Sequence, residues 1–347
     1  MAPTQASAGR ETAAAPPTMA DVAALAGVSH QTVSRVINLH PSVAPATRDK
    51  VNRAIAALGY RRNLAARALV TGSSRIIGLV VSSTSLSGPS GAMLAIEQRA
   101  RSKGYWVSMA GLLRHDPAEA TDAVTHFVDQ GVDGLIAIAQ TQMAVDATLA
   151  ASGAMPTVLV TSGRVPHDRS TVDIDQRAGG RLAMTVLKGL GHRRIAHVAG
   201  PPGDLHAEAR TAAWREALPA GQAATDLLVT GDWSAGSGYQ AGLALLALEE
   251  LPTAVFAAND HMAFGVLRAL SERGLAVPRD LSVVGFDDIA GSDCSIPPLT
   301  TIRQNHDALG RAALELLLEA IAGQPVRRET IPPELVVRSS TGAVGGS

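Results

Sequence analysis

The sequence predicts a mixed α/β protein: a helix-turn-helix head of three helices, then a hinge helix and a two-lobed, doubly wound α/β body. Three observations support this fold class. Residues 18–58 have the periodicity of three short amphipathic helices, and residues 76–288 alternate apolar, strand-like runs with helical stretches. The chain has 347 residues, of which 46% are hydrophobic and 18% charged, so it can form more than one core.

Two short helices joined by a tight turn are predicted in residues 18–38. Thr18 followed by Asp21 is a capping-box variant that begins the first helix, and Gly27 suits a left-handed residue at its end. Ser29 can cap the second helix. The apolar positions of that helix recur three and four residues apart and are predicted to face inward: Val33, Val36 and Ile37.

The polar face of the second helix carries side chains that can address base edges in a major groove: His30, Gln31, Ser34 and Arg35. Taken alone, the pattern fits a plain helical hairpin equally well, with Arg35 as a solvated charge. A third helix, predicted from Pro45 to the residue before Gly59, favours DNA binding because three helices can enclose a core that two cannot.

The head is basic and the remainder of the chain is acidic. Residues 18–75 contain eight Lys and Arg against Asp21 and Asp49, a net charge of +6, whereas residues 76–347 carry −7. This distribution is typical of a phosphate-binding domain attached to a body that does not touch DNA. We expect phosphate contacts from Lys50 and Arg61, and further DNA contacts from Asn38 and Asn63.

Residues 60–69 are predicted to form a short Ala-rich helical segment, and a Gly- and Ser-containing stretch follows it. An ordinary charged linker helix is one interpretation. A hinge helix is the other, in which Leu69 enters a minor groove as an apolar wedge. We expect the following boundaries: arm 1–17, head 18–62, hinge and linker 63–75, body 76–338, and disordered tail 339–347.

The body is predicted to be doubly wound because continuous apolar runs indicate strands that are covered on both faces. About 270 residues of this pattern exceed one comfortable sheet, which predicts two lobes with a ligand cleft at the carboxyl ends of the strands. The predicted strands are residues 76–81, 105–110, 134–139, 157–161, 194–200, 226–230, 254–260 and 282–288.

Polar residues follow several of these strands: Ser82, Thr161, Asn259 and Asp287. Each alone is explained as a cap of the next helix, and their convergence favours a pocket. A sugar would use a bidentate acceptor such as Asp287, a mixed donor and acceptor such as Asn259, and a fixed fork such as Arg210. Trp233 would offer an aromatic face to the apolar C–H surface of the sugar.

The sequence contains none of the common motifs for nucleotide binding, metalloprotease or serine hydrolase chemistry. There is no Walker loop, no HExxH pair and no GxSxG elbow, and the glycines near residue 237 do not follow a strand as a dinucleotide fingerprint would. The single cysteine leaves no basis for a multi-cysteine metal site. Asp173 and Asp175 are interpreted as surface charge, and His192 and His197 as structural. We therefore expect no catalytic residue, no metal and no cofactor.

The first 17 residues lack the apolar core of a signal peptide, and no run of about 18 apolar residues occurs. These features predict a cytoplasmic protein with no membrane contact, associated with the nucleoid when it is bound to DNA. Two alternatives remain, an exported sugar-binding protein and a sugar-modifying enzyme. The basic head disfavours the first, and the missing general base and phosphate or nicotinamide motif disfavour the second.

Four segments together resemble the LacI family of bacterial transcription repressors: DVAALAGVSHQTVSRVIN (21–38), GDWSAGSGYQ (231–240), AANDHMAFG (257–265) and VVGFDDIAGSDCSIPPLTTIRQ (283–304). The resemblance runs from about Thr18 to Arg338. It implies a body shaped like a periplasmic sugar-binding protein, a homodimer on palindromic operator DNA, and a small sugar as effector. It also implies that Leu69 is the hinge residue that enters the minor groove.

The resemblance further implies a set of ligand residues: Ser82, Leu86, Pro89, Thr161, His206, Arg210, Trp233, Asn259, Asp287 and Gln304. Three positions depart from the family member that the segments match best. That member has an aspartate at the position of Thr161, a serine at that of His206 and a phenylalanine at that of His306. It has a tyrosine at the position of His30, so we expect a different operator, and the identity of the sugar stays open.

We expect the oligomer to stop at the dimer. The best-matching family member carries a C-terminal heptad helix that joins two dimers, whereas residues 339–347 of this chain contain three glycines and no leucine. The helical stretch before this tail, residues 309–322, has the spacing of a helix packed on the body. We therefore predict no tetramer formed through the tail.

Overall fold

In a computed structural model of the chain, the residues described are 17–61, 72–81, 87–112, 116–218 and 227–345. The chain divides into two compact units, with the boundary between Gly72 and Ser73. The predicted N-terminal arm lies outside the described residues except for its last position. Four predicted site residues also lie outside them: Asn63, Leu69, Ser82 and Leu86.

The head contains three helices: α1 (Met19–Ala26), α2 (His30–Ile37) and α3 (Pro45–Leu58). The predicted capping box begins α1, because the backbone N–H of Thr18 donates to the Asp21 carboxylate at 2.8 Å and the Thr18 hydroxyl accepts from Asp21. Gly27 ends the helix in the left-handed conformation. The buried core of the head consists of Val22, Ala23, Val33, Val36, Val43, Val51 and Ala54. The head prediction is confirmed.

The first lobe of the body is a six-stranded parallel sheet in the order β11-β5-β4-β3-β1-β2. Its strands are β1 (Ile76–Val81), β2 (Trp106–Gly111), β3 (Gly134–Ile138), β4 (Thr157–Val160), β5 (Ser170–Ile174) and β11 (Arg328–Ile331). Its helices are α4 (Ser87–Ser102), α5 (Pro117–Asp129), α6 (Gln142–Ser152) and α11 (His306–Ile321). One face of the sheet packs on α4 and α11, and the other packs on α5 and α6.

The second lobe is a four-stranded parallel sheet in the order β7-β6-β8-β9. Its strands are β6 (Ile195–Ala199), β7 (Leu228–Thr230), β8 (Ala254–Ala257) and β9 (Ser282–Val284). Its helices are α7 (Gln176–Gly189), α8 (Leu205–Ala217), α9 (Ala235–Leu246) and α10 (Asp260–Glu272). Trp214, Phe256 and Phe286 are the largest fully buried side chains of its core.

The chain passes between the lobes three times. It leaves the first lobe after β5 to enter α7, and it returns before α11 by way of β10 (Thr301–Arg303). After β11 it crosses again to β12 (Glu334–Val336), which pairs with β10 in an antiparallel ribbon. The two lobes are therefore joined by several short segments, and polar residues on these segments lie near the boundary between the lobes.

Two expectations about strands need correction. All eight predicted apolar runs contain a strand, but β2 is an edge strand whose residues Trp106 and Met109 are exposed by 66% and 52%. It is therefore not covered on both faces. Four strands were not predicted, namely β5, β10, β11 and β12. These strands are short and contain polar residues, so they lack the apolar run on which the prediction depended.

The C-terminal segment is ordered against the second lobe, which corrects the expectation of a disordered tail for residues 339–345. Ser340 is fully buried, and its hydroxyl accepts from the backbone N–H of Thr300 and donates to the carbonyl of Val283. Further on, the carbonyl of Gly342 lies 3.0 Å from Nε2 of His192. These contacts could not be predicted from the composition of the tail, because they are made by backbone groups and by one small hydroxyl.

The start of the body is fixed by a carboxylate. Asp133, just before β3, accepts hydrogen bonds from the backbone and hydroxyl of Ser74 at 2.6 and 2.8 Å and from the backbone of Arg75 at 3.1 Å. The hydroxyl of Ser73 donates to the same group. Burial alone would raise the pKa of Asp133, but these hydrogen bonds lower it below its ordinary value. The chain is therefore anchored where the second unit begins.

No helix in the described part of the chain is long and apolar enough to cross a membrane.

Candidate effector cleft and nucleic-acid interface

A polar cleft lies between the two lobes of the body. Gly88 and Pro89 at the start of α4, and Gln140 after β3, form its first-lobe wall. The second-lobe wall consists of His206, Arg210, Trp233, Asn259, Asp287 and Gln304. About 310 Å³ of empty space lies between these walls, and part of it is open to solvent. Seven of the ten predicted ligand residues line this cleft.

The guanidinium of Arg210 is held in one orientation by protein groups. Its side chain is 3% exposed, and its Nε and Nη2 donate to Oε1 of Gln176 at 3.0 and 2.7 Å. Nη1 donates to the carbonyl of Ala258, and Cζ lies 3.6 Å from the ring centroid of Phe286. Burial lowers the pKa of Arg210, and the nearby carboxylate of Asp287 opposes that shift.

Gln176, the first residue of α7, connects Arg210 to the rest of the cleft. Its Nε2 donates to Oε1 of Gln304 at 3.0 Å, and Nε2 of Gln304 donates to Oδ1 of Asp287 at 2.7 Å. Asp287 in turn lies 3.6 Å from Nη2 of Arg210, which closes a ring of four side chains. Burial raises the pKa of Asp287 to about 7. The sequence offered no signal for Gln176 beyond its position after a strand.

Two cleft residues adopt backbone conformations that L-residues rarely occupy. Trp233 has φ 73° and Asp287 has φ 110°. Such conformations cost on the order of 1–3 kcal/mol each and persist where the surrounding structure imposes them, often at functional sites. Their occurrence in one cleft supports a binding role for this part of the molecule.

Asn259 serves both the fold and the cleft. Its Oδ1 accepts from the backbone of Met262 at 2.9 Å and so caps α10, which is the ordinary role of a polar residue after a strand. Its Nδ2 donates to the carbonyl of Trp233 at 3.0 Å and holds that residue beside the cleft. The indole Nε1 of Trp233 is buried without a hydrogen bond of ordinary geometry, although it is near enough to Asp204 to affect the pKa of that carboxyl.

His306 takes part in shaping the first-lobe wall. A Cβ at Gly91 of α4 would come within 2.6 Å of its imidazole Nδ1, so the close approach requires glycine there. Burial lowers the pKa of His306 below its ordinary value, and the charge of Arg210 acts in the same direction. An uncharged imidazole therefore packs against the start of α4.

Asp173 was interpreted as surface charge, and that interpretation is wrong. Its side chain is 17% exposed, and Oδ1 lies 3.8 Å from Nε2 of His206. Burial raises the pKa of Asp173 to about 7. Asp175 has an ordinary structural role, because its carboxylate accepts from Ala178 and caps α7.

Thr161 is the one described member of the predicted ligand set that does not line the cleft. It is buried, and its hydroxyl accepts from the backbone N–H of Gly163 at 3.1 Å, so it stabilises a turn. Two lining residues were not predicted, Gly88 and Gln140, and neither was Gln176, which supports Arg210 from behind the cleft wall. Gly88 and Gln140 had no signal in the sequence, since a glycine and a glutamine after structural elements are common.

The two histidines expected to be structural do have structural partners. The ring nitrogens of His197 lie 2.8 Å from the carbonyl of Phe256 and 3.1 Å from the hydroxyl of Thr211, and the ring is fully buried. His192 contacts the hydroxyls of Thr253 and Ser282. Among the described residues, no group of three or more His, Cys, Asp or Glu could hold a metal ion.

The head presents a polar face on α2. The Ser29 hydroxyl accepts from the backbone of Thr32 at 3.1 Å and so caps the helix. His30, Gln31 and Arg35 are exposed and Ser34 is half-buried, while the opposite face enters the core. The predicted base-reading side chains therefore share one accessible helix face.

The predicted phosphate contacts lie on other parts of the head. Lys50 is exposed on α3, and Arg61 is exposed three residues after that helix ends. Asn38 is exposed at the end of α2, where its Nδ2 donates to Ser34 at 3.4 Å. These positions suit contacts to a backbone on either side of a groove.

A helix-turn-helix head on the same chain as a two-lobed body with a polar cleft defines the class of ligand-responsive transcription regulators. Residues 18–63 match the family described as bacterial regulatory proteins, lacI family, and residues 184–341 match the periplasmic binding protein-like domain. The chain is 39% identical over 329 residues to the lactose operon repressor of Escherichia coli K12, covering 94% of this chain and 91% of that protein. The chain therefore belongs to the LacI family of transcriptional repressors.

Other relatives agree with this assignment. The HTH-type transcriptional repressor PurR of Mannheimia succiniciproducens is 35% identical over 328 residues, covering 93% of this chain and 98% of that protein. A crystal structure of the lac repressor dimer bound to operator and the anti-inducer ONPF matches with a TM-score of 0.87 and 38% identity, covering 95% of this chain and 100% of that chain. A complex of the transcriptional regulator CelR with cellobiose matches with a TM-score of 0.70 and 35% identity, covering 93% and 99%. These relatives are regulators and not enzymes.

Proposed function

We propose that this protein is a repressor that binds a palindromic operator as a homodimer, and that a small sugar in the cleft controls its affinity for that operator. The observation that carries the proposal is the polar cleft between the lobes, on a chain that also bears a helix-turn-helix. It works in the cytoplasm, on the nucleoid when bound to DNA. Exported sugar-binding proteins and sugar-modifying enzymes are disfavoured by the head and by the relatives.

The chemistry of the cleft supports a sugar as the effector. Asp287 offers acceptor oxygens, Gln304 and Asn259 offer amide groups, and Trp233 offers an aromatic surface. The related regulator CelR forms a complex with cellobiose, which is a small sugar.

Control of DNA binding follows from linkage. A sugar that binds one arrangement of the two lobes more tightly than another shifts the protein toward that arrangement. If that arrangement holds the heads less well on an operator, the sugar releases the DNA. Such couplings typically amount to about 1–3 kcal/mol, or roughly 5- to 150-fold in affinity.

DNA recognition is tested by comparing two exposed basic residues of the head. Arg35→Ala should weaken cognate binding by about 1–3 kcal/mol and relax sequence preference, because Arg35 lies on the predicted reading face. Lys50→Ala is the matched control and should weaken all sequences alike. Gel shifts with cognate and random duplexes at two salt concentrations measure both effects. An unchanged ratio of cognate to random binding in Arg35→Ala would rule out α2 as the reading helix.

Effector binding is tested by titration calorimetry of the full-length protein with galactose, glucose, lactose and cellobiose. Asp287→Asn should reduce the affinity for the bound sugar about tenfold or more, because it removes a charged acceptor from a buried site. It should also give a repressor that the sugar no longer releases from DNA. Asp293→Asn, on an exposed loop away from the cleft, is the control. Equal sugar affinity in both variants would remove Asp287 from the site.

A further inference from the structure

Asp173 is a half-buried carboxylate close to the cleft wall, and the proposed function assigns it no role. The register of β4 and β5 pairs Val160 with Val172, and the backbone of Thr161 donates to the carbonyl of Val172 at 3.1 Å. Asp173 therefore lies beside Thr161 at the same edge of the sheet. Thr161 is uncharged, so Asp173 supplies the carboxylate at this edge.

His206, which forms part of the cleft wall, lies close to Asp173. Its Nε2 lies 3.8 Å from Oδ1 of Asp173. Burial, together with the positive charge of Arg210 and the proximity of His306, lowers the pKa of His206 to about 3. At neutral pH the imidazole is therefore uncharged, with one nitrogen as a donor and the other as an acceptor.

A carboxylate near one ring nitrogen selects the tautomer of a neutral imidazole. An ionised Asp173 stabilises the form with the proton on Nε2, because that N–H then points toward negative charge. Nδ1 is left as an acceptor. Within the described residues, no protein group forms a hydrogen bond with either ring nitrogen of His206, so Nδ1 can accept one from a ligand.

The lining of the cleft is rich in hydrogen-bond acceptors, and it has no accessible cation that could bind an anionic ligand. Arg210 is the only Lys or Arg among the described lining residues, its side chain is 3% exposed, and three of its N–H groups donate to Gln176 and to the carbonyl of Ala258. Asp287 lies 3.6 Å from the same guanidinium. A ligand phosphate or carboxylate in the cleft would lie near the carboxylate of Asp287, and no free guanidinium would be available to bind it.

We propose that Asp173 is a positioning residue that fixes His206 as a hydrogen-bond acceptor for a sugar hydroxyl, so that the cleft selects uncharged, hydroxyl-rich sugars over phosphorylated or acidic ones. The proposal rests on the proposed function for its ligand. The effect of Asp173 on the tautomer of His206 can be measured without any ligand.

A stability measurement distinguishes this role from a structural one. Because burial raises the pKa of Asp173 to about 7, the group favours folding at pH values below its ordinary pKa, and that contribution is lost as the pH rises toward 7. The other titratable groups facing it are Asp175 on its own segment and His206 and Arg210 on α8. The neighbouring strands present only the uncharged side chains of Thr161 and Thr330.

Because the ionised carboxylate of Asp173 destabilises the fold at high pH, Asp173→Asn should raise Tm by about 3–8 °C at pH 8.5 and by less at pH 5. A lower Tm at pH 8.5 would mean a structural role and would overturn the proposal.

The tautomer of His206 is measured by NMR on the full-length protein labelled with ¹⁵N-histidine, with His206→Asn used to assign the signal. At pH 8.5 the proton should reside on Nε2, and Asp173→Asn should give a mixture of tautomers. A proton on Nδ1 in the unchanged protein, or the same tautomer in Asp173→Asn, would overturn the positioning role.

The ligand class is measured by calorimetry with matched pairs: galactose and galactose 6-phosphate, glucose and glucose 6-phosphate, and glucose and glucuronate. Each anionic member should bind at least about tenfold more weakly than its neutral partner, and Asp173→Asn should weaken neutral binding by about three- to tenfold while Asp293→Asn does not. An anionic sugar that binds as tightly as its partner would overturn the selectivity. If no sugar of any kind binds, both the proposed function and the proposed ligand class are wrong. The tautomer measurement then still tests whether Asp173 positions His206.

Discussion

Gln176 is the residue on which the buried charge of Arg210 depends. Two of the three hydrogen bonds that the structure gives to this guanidinium end on the Oε1 of Gln176. A buried cation that loses its acceptor is costly, because water cannot replace the lost partner. Gln176 is itself buried and sits on the segment that crosses between the lobes.

We therefore predict that Gln176→Leu lowers the free energy of unfolding by about 2–4 kcal/mol. Urea unfolding followed by circular dichroism measures the change. Arg177→Ala is a matched control at the next position, because Arg177 is exposed and pairs with Glu216 at the surface, and it should have little effect. Equal stability of Gln176→Leu and the unchanged protein would mean that Arg210 finds another acceptor.

At the scale of the elements, α9 and α10 cross so closely that a side chain would not fit at the glycines of the crossing. A Cβ on Gly238 would lie 2.2 Å from the carbonyl oxygen of Met262, and one on Gly265 would lie 2.1 Å from that of Ala235. The obstacles are backbone atoms, so a rotamer change cannot relieve the contact. These two helices support Trp233 and Asn259 at the ends that face the cleft.

Gly238→Ala should therefore reduce the free energy of unfolding by about 1–3 kcal/mol or more, since backbones must separate to admit a methyl group. Gly236→Ala, on the same helix, has its nearest contact at 3.6 Å and should be neutral or slightly stabilising. Differential scanning calorimetry compares the two variants. A neutral Gly238→Ala would show that the helix pair can move apart without cost.

The elements differ in how far their sequences predict them. Helices of the head and the long apolar strands are encoded locally, by caps such as Thr18 with Asp21 and by runs such as residues 134–138. The strand β5 and the ordered tail depend on partners far along the chain, so no local pattern reveals them. In the cleft, Asp287 could be predicted from its chemistry, whereas Gln176 and Asp173 are recognised only when the strands are placed side by side.

For the molecule as a whole, we expect a dimer. Two heads related by a two-fold axis can span a palindrome, and one head reads only a half-site. The C-terminal residues 339–345 are engaged with the second lobe and contain no heptad pattern. Sedimentation equilibrium at micromolar concentration should give the mass of two chains, and a mass of four chains would contradict the prediction.

Cys294 is the sole cysteine in the chain, and it is exposed beside an apolar groove formed by Phe264, Leu267 and Ile296. A thiol-reactive fluorophore added to the unaltered protein would therefore attach at one position only, in the second lobe and away from the cleft. The second lobe can therefore be labelled at a single position without mutagenesis.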